Sequence, residues 1–211
     1  VGYLTGYPLQ DSGTYVVART WTAPEASRPG AVWTHSLLIE FTDLAQLSDA
    51  RALLPLFRRP DVGASGFDRS YSSPVTASLR NSSSVEVAAV DLEGWTRGVM
   101  ISLYGNPNDR VVAIAPPESS DALEHVVLSL WSQQWPRLRR TFRFCTLTLA
   151  DRPADKTPFD LQLCPDGERS VRHRFPGAIV ASNEQLSTAW LDDAYEDLQR
   201  RSPTPLREFF L

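Results

Sequence analysis

The sequence predicts an α+β fold: a mostly antiparallel sheet of about seven or eight strands carrying two or three packed helices. Three observations predict it. Two runs between Tyr15 and Phe41 alternate with period two, the side-chain period of a strand. Apolar residues recur at helical spacing from Leu123 to Trp135. The 211 residues are 42% hydrophobic, enough for one core and one module, residues 1–211.

Taken in order, Val1 to Gly13 reads as turn, because Gly2, Gly6, Pro8 and Gly13 punctuate it. Val16 to Trp21 is a strand, and Ala23 to Gly30, with Pro24, Pro29 and Gly30, is a loop. Val32 to Phe41 is the second strand. Both faces of these strands are fairly apolar, which predicts a sheet covered on both sides. Thr42 is expected to cap a helix carrying Leu44, Leu47, Ala50 and Leu54 on one stripe, closed by Pro55 and Pro60. Residues 61–84 are Ser-rich and aperiodic, an internal loop or linker.

Val85 to Leu92, Val99 to Tyr104 and Arg110 to Ala115 are expected to form a small antiparallel meander, with Gly94 to Gly98 as one of its turns. The clearest helix follows. Asp121 and Glu124 suggest a capping box, and Leu123, Val127, Leu130, Trp131 and Trp135 form its stripe until Pro136 ends or kinks it. RLRRTFRFCTLTL then alternates as a strand. Phe159 to Cys164 and Val171 to Phe175 flank Asp166-Gly167, a hairpin turn pair. Ala178 to Ala181 is a short apolar piece. A last helix runs from a cap at Ser182 or Asn183 to about Arg201, with Leu186, Trp190, Ala194 and Leu198 on one side.

Composition excludes more than it assigns. A net charge of -4 gives no global pull toward nucleic acid or anionic lipid. No run approaches the ~18 apolar residues of a membrane span, and no signal-peptide pattern is present. Cys145 and Cys164 are too few for a disulfide framework, so free thiols in a reducing cytoplasm are expected. The single lysine, Lys156, has no glycine-rich run before it, which removes the phosphate-loop motif. No Cys-x-x-Cys or His-Glu-x-x-His spacing calls for a metal, and no cofactor is expected. Asp192, Asp193, Glu196 and Asp197 read as a solvated helix face, with a divalent-ion site the much weaker alternative. Cys145 reads as a small buried apolar residue, with pairing to His35 the sharper alternative.

Two constellations remain. If the first two strands pair as a hairpin, Arg19 and His35 share one face with Trp21 and Trp33, and Arg28 sits in the connecting loop. An arginine flat on an indole is an ordinary packing device, and packing is the plainer reading. The same groups could hold a phosphate or carboxylate. The second constellation is the basic patch Arg137, Arg139, Arg140 and Arg143, interleaved with Trp131, Trp135, Phe142 and Phe144. It suits plain surface, an acidic partner in another protein or within the chain, or, less well given the net charge, single-stranded nucleic acid.

GYLTGYPL (2–9), the ARTW, RPG and VWTH segments within 15–38, LFRRP (56–60), and WPRLRR with FRFC (135–145) resemble the N-terminal domain of the GTPase-associated protein one family. The resemblance implies a part of a bacterial conflict or defence system encoded beside a GTPase. It implies an adaptor more than an enzyme, with a protein partner drawn from the GTPase system or from other domains of the same chain. It brings no catalytic residues; the matching positions are Arg19, Trp21, Arg28, Trp33 and His35. The chain opens on Val1 and closes on PTPLREFFL, and both ends read as cuts in a longer polypeptide.

Overall fold

The computed structural model describes residues 2–9, 11–59, 92–106, 108–117, 120–154, 156–181 and 188–200. The 61–84 segment, the strand expected before Leu92, and Ser182, Asn183 and Leu186 lie outside the described residues. Among those described, a seven-stranded sheet carries helices on both faces, an α+β fold. Three α-helices of the described residues exceed ten residues: Glu93–Gly105 (α2), Ser120–Gln133 (α3) and Ala189–Gln199 (α6).

One half of the sheet is an antiparallel run of β3 (Val32–Glu40), β2 (Thr14–Thr22) and β1 (Gly2–Leu9). The run continues through β5 (Phe144–Cys145), antiparallel to β1, into a parallel half: β8 (Leu161–Cys164), β4 (Val111–Ile114) and β9 (Ile179–Ala181). A separate antiparallel pair, β6 (Pro153–Ala154) and β7 (Thr157–Pro158), lies between β5 and β8 in sequence. Leu4, Tyr15, Val17, Phe144, Leu161, Val111 and Ala113 face one core, filled from above by Leu123, Val127, Leu130 and Trp131 of α3 and by Trp95 and Val99 of α2. Val112 and Cys164 face the other way, onto Val171 and Phe175.

Five expectations are corrected. The stretch up to Gly13 is strand, not turn, for Gly2–Leu9. A Cβ at Gly6 would strike the Phe144 ring and the Tyr15 hydroxyl, and one at Gly2 would strike the Trp21 ring. These glycines are in a strand to let aromatic rings lie on the backbone. Only Gly13, with φ 66°, does turn work, in the β1–β2 connection.

The strand face expected to be covered on both sides is so only in β2. The last strand, β3, is an edge: Val32, Thr34, Ser36, Leu38 and Glu40 are exposed and the alternate residues half-buried.

The helix expected from Thr42 to Leu54 is two pieces. The first, α1 (Phe41–Gln46), starts from Glu40 rather than Thr42, and a 3-10 helix covers Ala50–Leu56. Asp49 caps the second piece, accepting from the Arg51 N–H at 2.9 Å. The Leu47 carbonyl accepts from a buried arginine, and the Leu44 carbonyl accepts from the same arginine and from the Leu47 N–H that closes α1.

Of the expected meander, the Gly94 to Gly98 turn and the Val99 to Tyr104 strand are one helix, α2, and the third strand, β4, joins a parallel ladder rather than an antiparallel one. Burial of Trp95, Val99 and Met100 outweighs the cost of about 1 kcal/mol for each helical glycine.

Of the hairpin expected around Asp166-Gly167, the first strand stands as β8, but the second, Val171 to Phe175, is a helix, α5 (Glu168–Arg174), that starts from Gly167. Val171 and Phe175 are four apart, a spacing that serves a strand face and a helix face alike. Only their packing on Val112 decides between them.

Candidate functional site

In the hairpin of β2 and β3, Arg19 is directly opposite His35 and Trp21 directly opposite Trp33. Period-two alternation therefore brings the four predicted side chains onto one face, the one turned toward α3. The Arg19 guanidinium lies 5.6 Å from the centre of the Trp21 ring. It also meets two carboxylates from the first turns of α3: Glu124 at 2.9 Å and Asp121 at 3.5 Å. Glu124 is only 2% exposed, whereas Asp121 is in solvent. Arg19 is thus the cation that docks α3 onto the sheet.

Glu124 does not form the expected capping box. Its Oε2 pairs with Arg19, and its buried Oε1 makes no hydrogen bond. Burial pushes this carboxyl up to about 7; Arg19 works against that rise and Asp121 adds to it. The Nε of Arg19 is also buried without a hydrogen-bond partner.

His35 takes a different course. Its Nδ1 accepts the backbone N–H of Arg58 at 3.0 Å, and its ring meets Phe57 edge-on with centroids 5.8 Å apart. Burial first, and Arg58 second, hold the imidazole below its usual range, so it is a neutral acceptor. The residues just after the 3-10 helix thereby pass along the hairpin. There Arg59 reaches Glu25 and the Thr22 carbonyl, and Trp33 donates its indole N–H to Glu25 at 2.8 Å. Glu25 is held below the usual carboxylate range by its own backbone, by Trp33 and by Arg59. The Ala23–Ala31 loop is fixed by these contacts, yet Arg28 on it is exposed. Glu124, Glu25, Arg59 and Phe57 were not foreseen as members of this cluster. Each comes from an element distant in sequence or from a loop without periodicity.

The basic patch does not stay together. Arg139 is 3% exposed, and its guanidinium donates to the carbonyls of Leu44 and Leu47 and of Ser132 and Gln134. Those carbonyls close α1 and α3, where the helix dipole favours a cation. Arg139 is a core clamp, a correction to its reading as surface charge. It sits in α4 (Pro136–Arg139), a short helix where an extended strand was expected. Pro136 opens that helix, so Trp135 leaves the α3 stripe and is 55% exposed. Arg137 is exposed, Arg140 lies 5.6 Å over the Phe41 ring, and Arg143 donates to the Thr141 carbonyl. The acidic helix face is also revised: Asp197 is buried and accepts from Gln133 at 2.9 Å.

For catalysis, Cys145 is three strands away from His35 across the sheet. Burial raises both thiols, the reverse of what an activated nucleophile needs. Among the described residues no three of His, Cys, Asp and Glu converge on a metal-sized space. No described helix is long and apolar enough to cross a membrane.

Residues 1–57 match the family model of the GTPase-associated protein 1, N-terminal domain type 1. The matched stretch holds β1, β2, β3, α1 and the 3-10 helix, hence Arg19, Trp21, Arg28, Trp33 and His35. The WPRLRR and FRFC segments lie outside it. No curated protein and no solved structure matches the chain.

Proposed function

We propose that this chain, whose first 57 residues match a GTPase-associated protein N-terminal domain, is a non-catalytic interaction module. It serves as an adaptor in a GTPase-linked bacterial conflict system, in the cytoplasm, and binds a protein: a GTPase-system component or another domain of the same polypeptide. The observation that carries this reading is the internal use of the groups a reaction would need. Arg19 is held by Glu124 and Asp121, and His35 accepts from Arg58. Both cysteines are buried. The surface offered to a partner is the rim where the half-buried Trp21 and Trp33 are paired across the hairpin and the fixed loop presents the exposed Arg28. Arginine and tryptophan are the side chains on which interface energy concentrates.

One observation favours a second reading. Of Arg19, Arg28 and His35, Arg28 is the cation still open to solvent, and an anion such as a nucleotide phosphate would use it first.

Co-purification with the neighbouring system components tests the first reading. Arg28→Glu should abolish capture while the melting temperature stays within about 2 °C, as for an ordinary surface change. Capture that survives both Arg28→Glu and Trp33→Ala would remove this rim from the interface. A nucleotide screen by thermal shift tests the second. A rise in melting temperature that Arg28→Ala removes would make the rim an anion site instead.

A further inference from the structure

Strand β3 ends the sheet, and the register shows which of its backbone groups are spent. The β2–β3 ladder is flanked by two bonds, Ala23 N–H to the Ala31 carbonyl and Phe41 N–H to the Gly13 carbonyl, each 2.9 Å. Both involve odd-numbered residues of the β3 side in the same register. Antiparallel pairs alternate, so Trp33, His35, Leu37 and Ile39 exchange bonds with β2. Val32, Thr34, Ser36, Leu38 and Glu40 therefore turn their N–H and C=O groups away from the sheet.

The side chains of these same five residues are exposed, Val32 at 52% and Leu38 at 66%. No described strand pairs with this edge. Proteins normally blunt such an edge with lysine, proline, a bulge or shortness. Here nine residues, VWTHSLLIE, run without proline, glycine, lysine or arginine, and the pairing to β2 is unbroken.

We propose that β3 is a self-pairing edge, and that two copies of this chain join across a two-fold axis at Ser36. In that arrangement Ser36 faces Ser36 of the second copy, Thr34 faces Leu38 and Val32 faces Glu40. Every outward-turned residue then finds an outward-turned partner, giving about ten new backbone bonds at two per hydrogen-bonded pair. The charges agree with it. Glu40, the strand's one carboxylate, meets Val32, and the two Glu40 residues stand about 27 Å apart at ~3.4 Å per residue. On the opposite face Trp33 meets Ile39 and His35 meets Leu37, the aromatic and branched pairings that favour adjacent strands. The pattern is its own complement, which an isologous contact requires. The two seven-stranded sheets become one continuous sheet.

Sedimentation equilibrium and site-specific oxidation test this arrangement, with no dependence on Arg28 or on any partner protein. The unaltered chain should show a concentration-dependent monomer–dimer equilibrium. Ser36→Cys should oxidise to a covalent dimer, since the two Cα atoms would be about 5.5 Å apart across the axis. Thr34→Cys should not, because Thr34 faces Leu38; the native thiols are buried and contribute no background. Ser36→Pro removes an outward N–H that β2 does not use, and should leave a folded monomer. Ser36→Lys sets two like charges at the axis and should weaken association about tenfold or more, which guards against a folding defect in the proline variant. Three results would each overturn the proposal: a monomer at every concentration, equal cross-linking by Ser36→Cys and Thr34→Cys, or a dimer indifferent to Ser36→Lys. A monomer whose β3 edge binds an extended segment of another protein would also overturn it.

Discussion

Arg19 and His35 face each other directly across β2 and β3, yet they serve different elements. Arg19 holds the start of α3 through Glu124 at 2.9 Å, and His35 holds the chain at Arg58 at 3.0 Å. One cross-strand pair thus fastens two separate layers to the same face of the sheet. It unites two roles weighed for it, packing and charge, because the charge is neutralised inside the molecule.

Removing Arg19 should therefore act on stability. Arg19→Met leaves the buried Glu124 carboxylate alone and should cost about 3 kcal/mol at pH 8, as for one partner of a buried pair. The cost should shrink at pH 5.5, where Glu124 carries a proton. Pairing Arg19→Met with Glu124→Met should recover much of the loss. Urea unfolding of the two singles and the double is the measurement, and additive losses would show that the two side chains do not interact.

Glu124 also sets a pH dependence. Its folded value, about 7, lies above the ordinary 4.5, so folding takes up a proton between those values. Its contribution is full below about pH 4.5 and lost as pH rises through about 7, a fall of about 3 kcal/mol in stability. His35 and His125, held low by burial, act in the opposite direction, favouring the fold as pH rises toward 6.5. The informative quantity is therefore the difference between the parent and Glu124→Gln. Between pH 4.5 and 7.5 the parent should lose stability relative to the variant; parallel curves would mean that Glu124 ionises normally.

Arg139 should be among the least replaceable residues. Arg139→Met takes the guanidinium donor from four carbonyls at the ends of α1 and α3, of which Leu44 keeps the Leu47 N–H; a carbonyl left unmet in the interior costs about 1–3 kcal/mol. Loss of the folded state at 37 °C is expected by circular dichroism. Arg139→Lys should rescue it only in part, because an ammonium lacks the guanidinium fork that spans two helix ends. A stable Arg139→Met would return this residue to the surface patch.

Gly6→Ala should be destabilising by about 1–3 kcal/mol, the usual cost of forcing an extra carbon into a filled core. The new methyl meets the Phe144 ring and the Tyr15 hydroxyl, which itself donates to the Phe142 carbonyl at 2.7 Å. The adverse shift should be relieved by Phe144→Leu in the same chain. A neutral Gly6→Ala would mean that the Phe144 ring yields to the methyl without cost, so that the close approach does not require glycine.

Local pattern was enough for the hairpin, for α3 and for the shared face of Arg19, Trp21, Trp33 and His35, because strand and helix periods act over a few neighbouring residues. It was enough also for the resemblance that the family-model match over the first 57 residues repeats. The partners of that face were not legible. Glu124 carries the same letter whether it caps its own helix or buries itself against a strand a hundred residues earlier, and only the docking of α3 chooses. The same holds for Gly6, Arg139 and Val171–Phe175: a glycine, an arginine and a four-residue spacing each fit two local structures of similar energy. Chain-local physics fixed which residues alternate and which recur. Burial fixed which of the two structures each ambiguous stretch adopted, since removing a ring or a guanidinium from water outweighs the fraction of a kilocalorie by which local preferences differ.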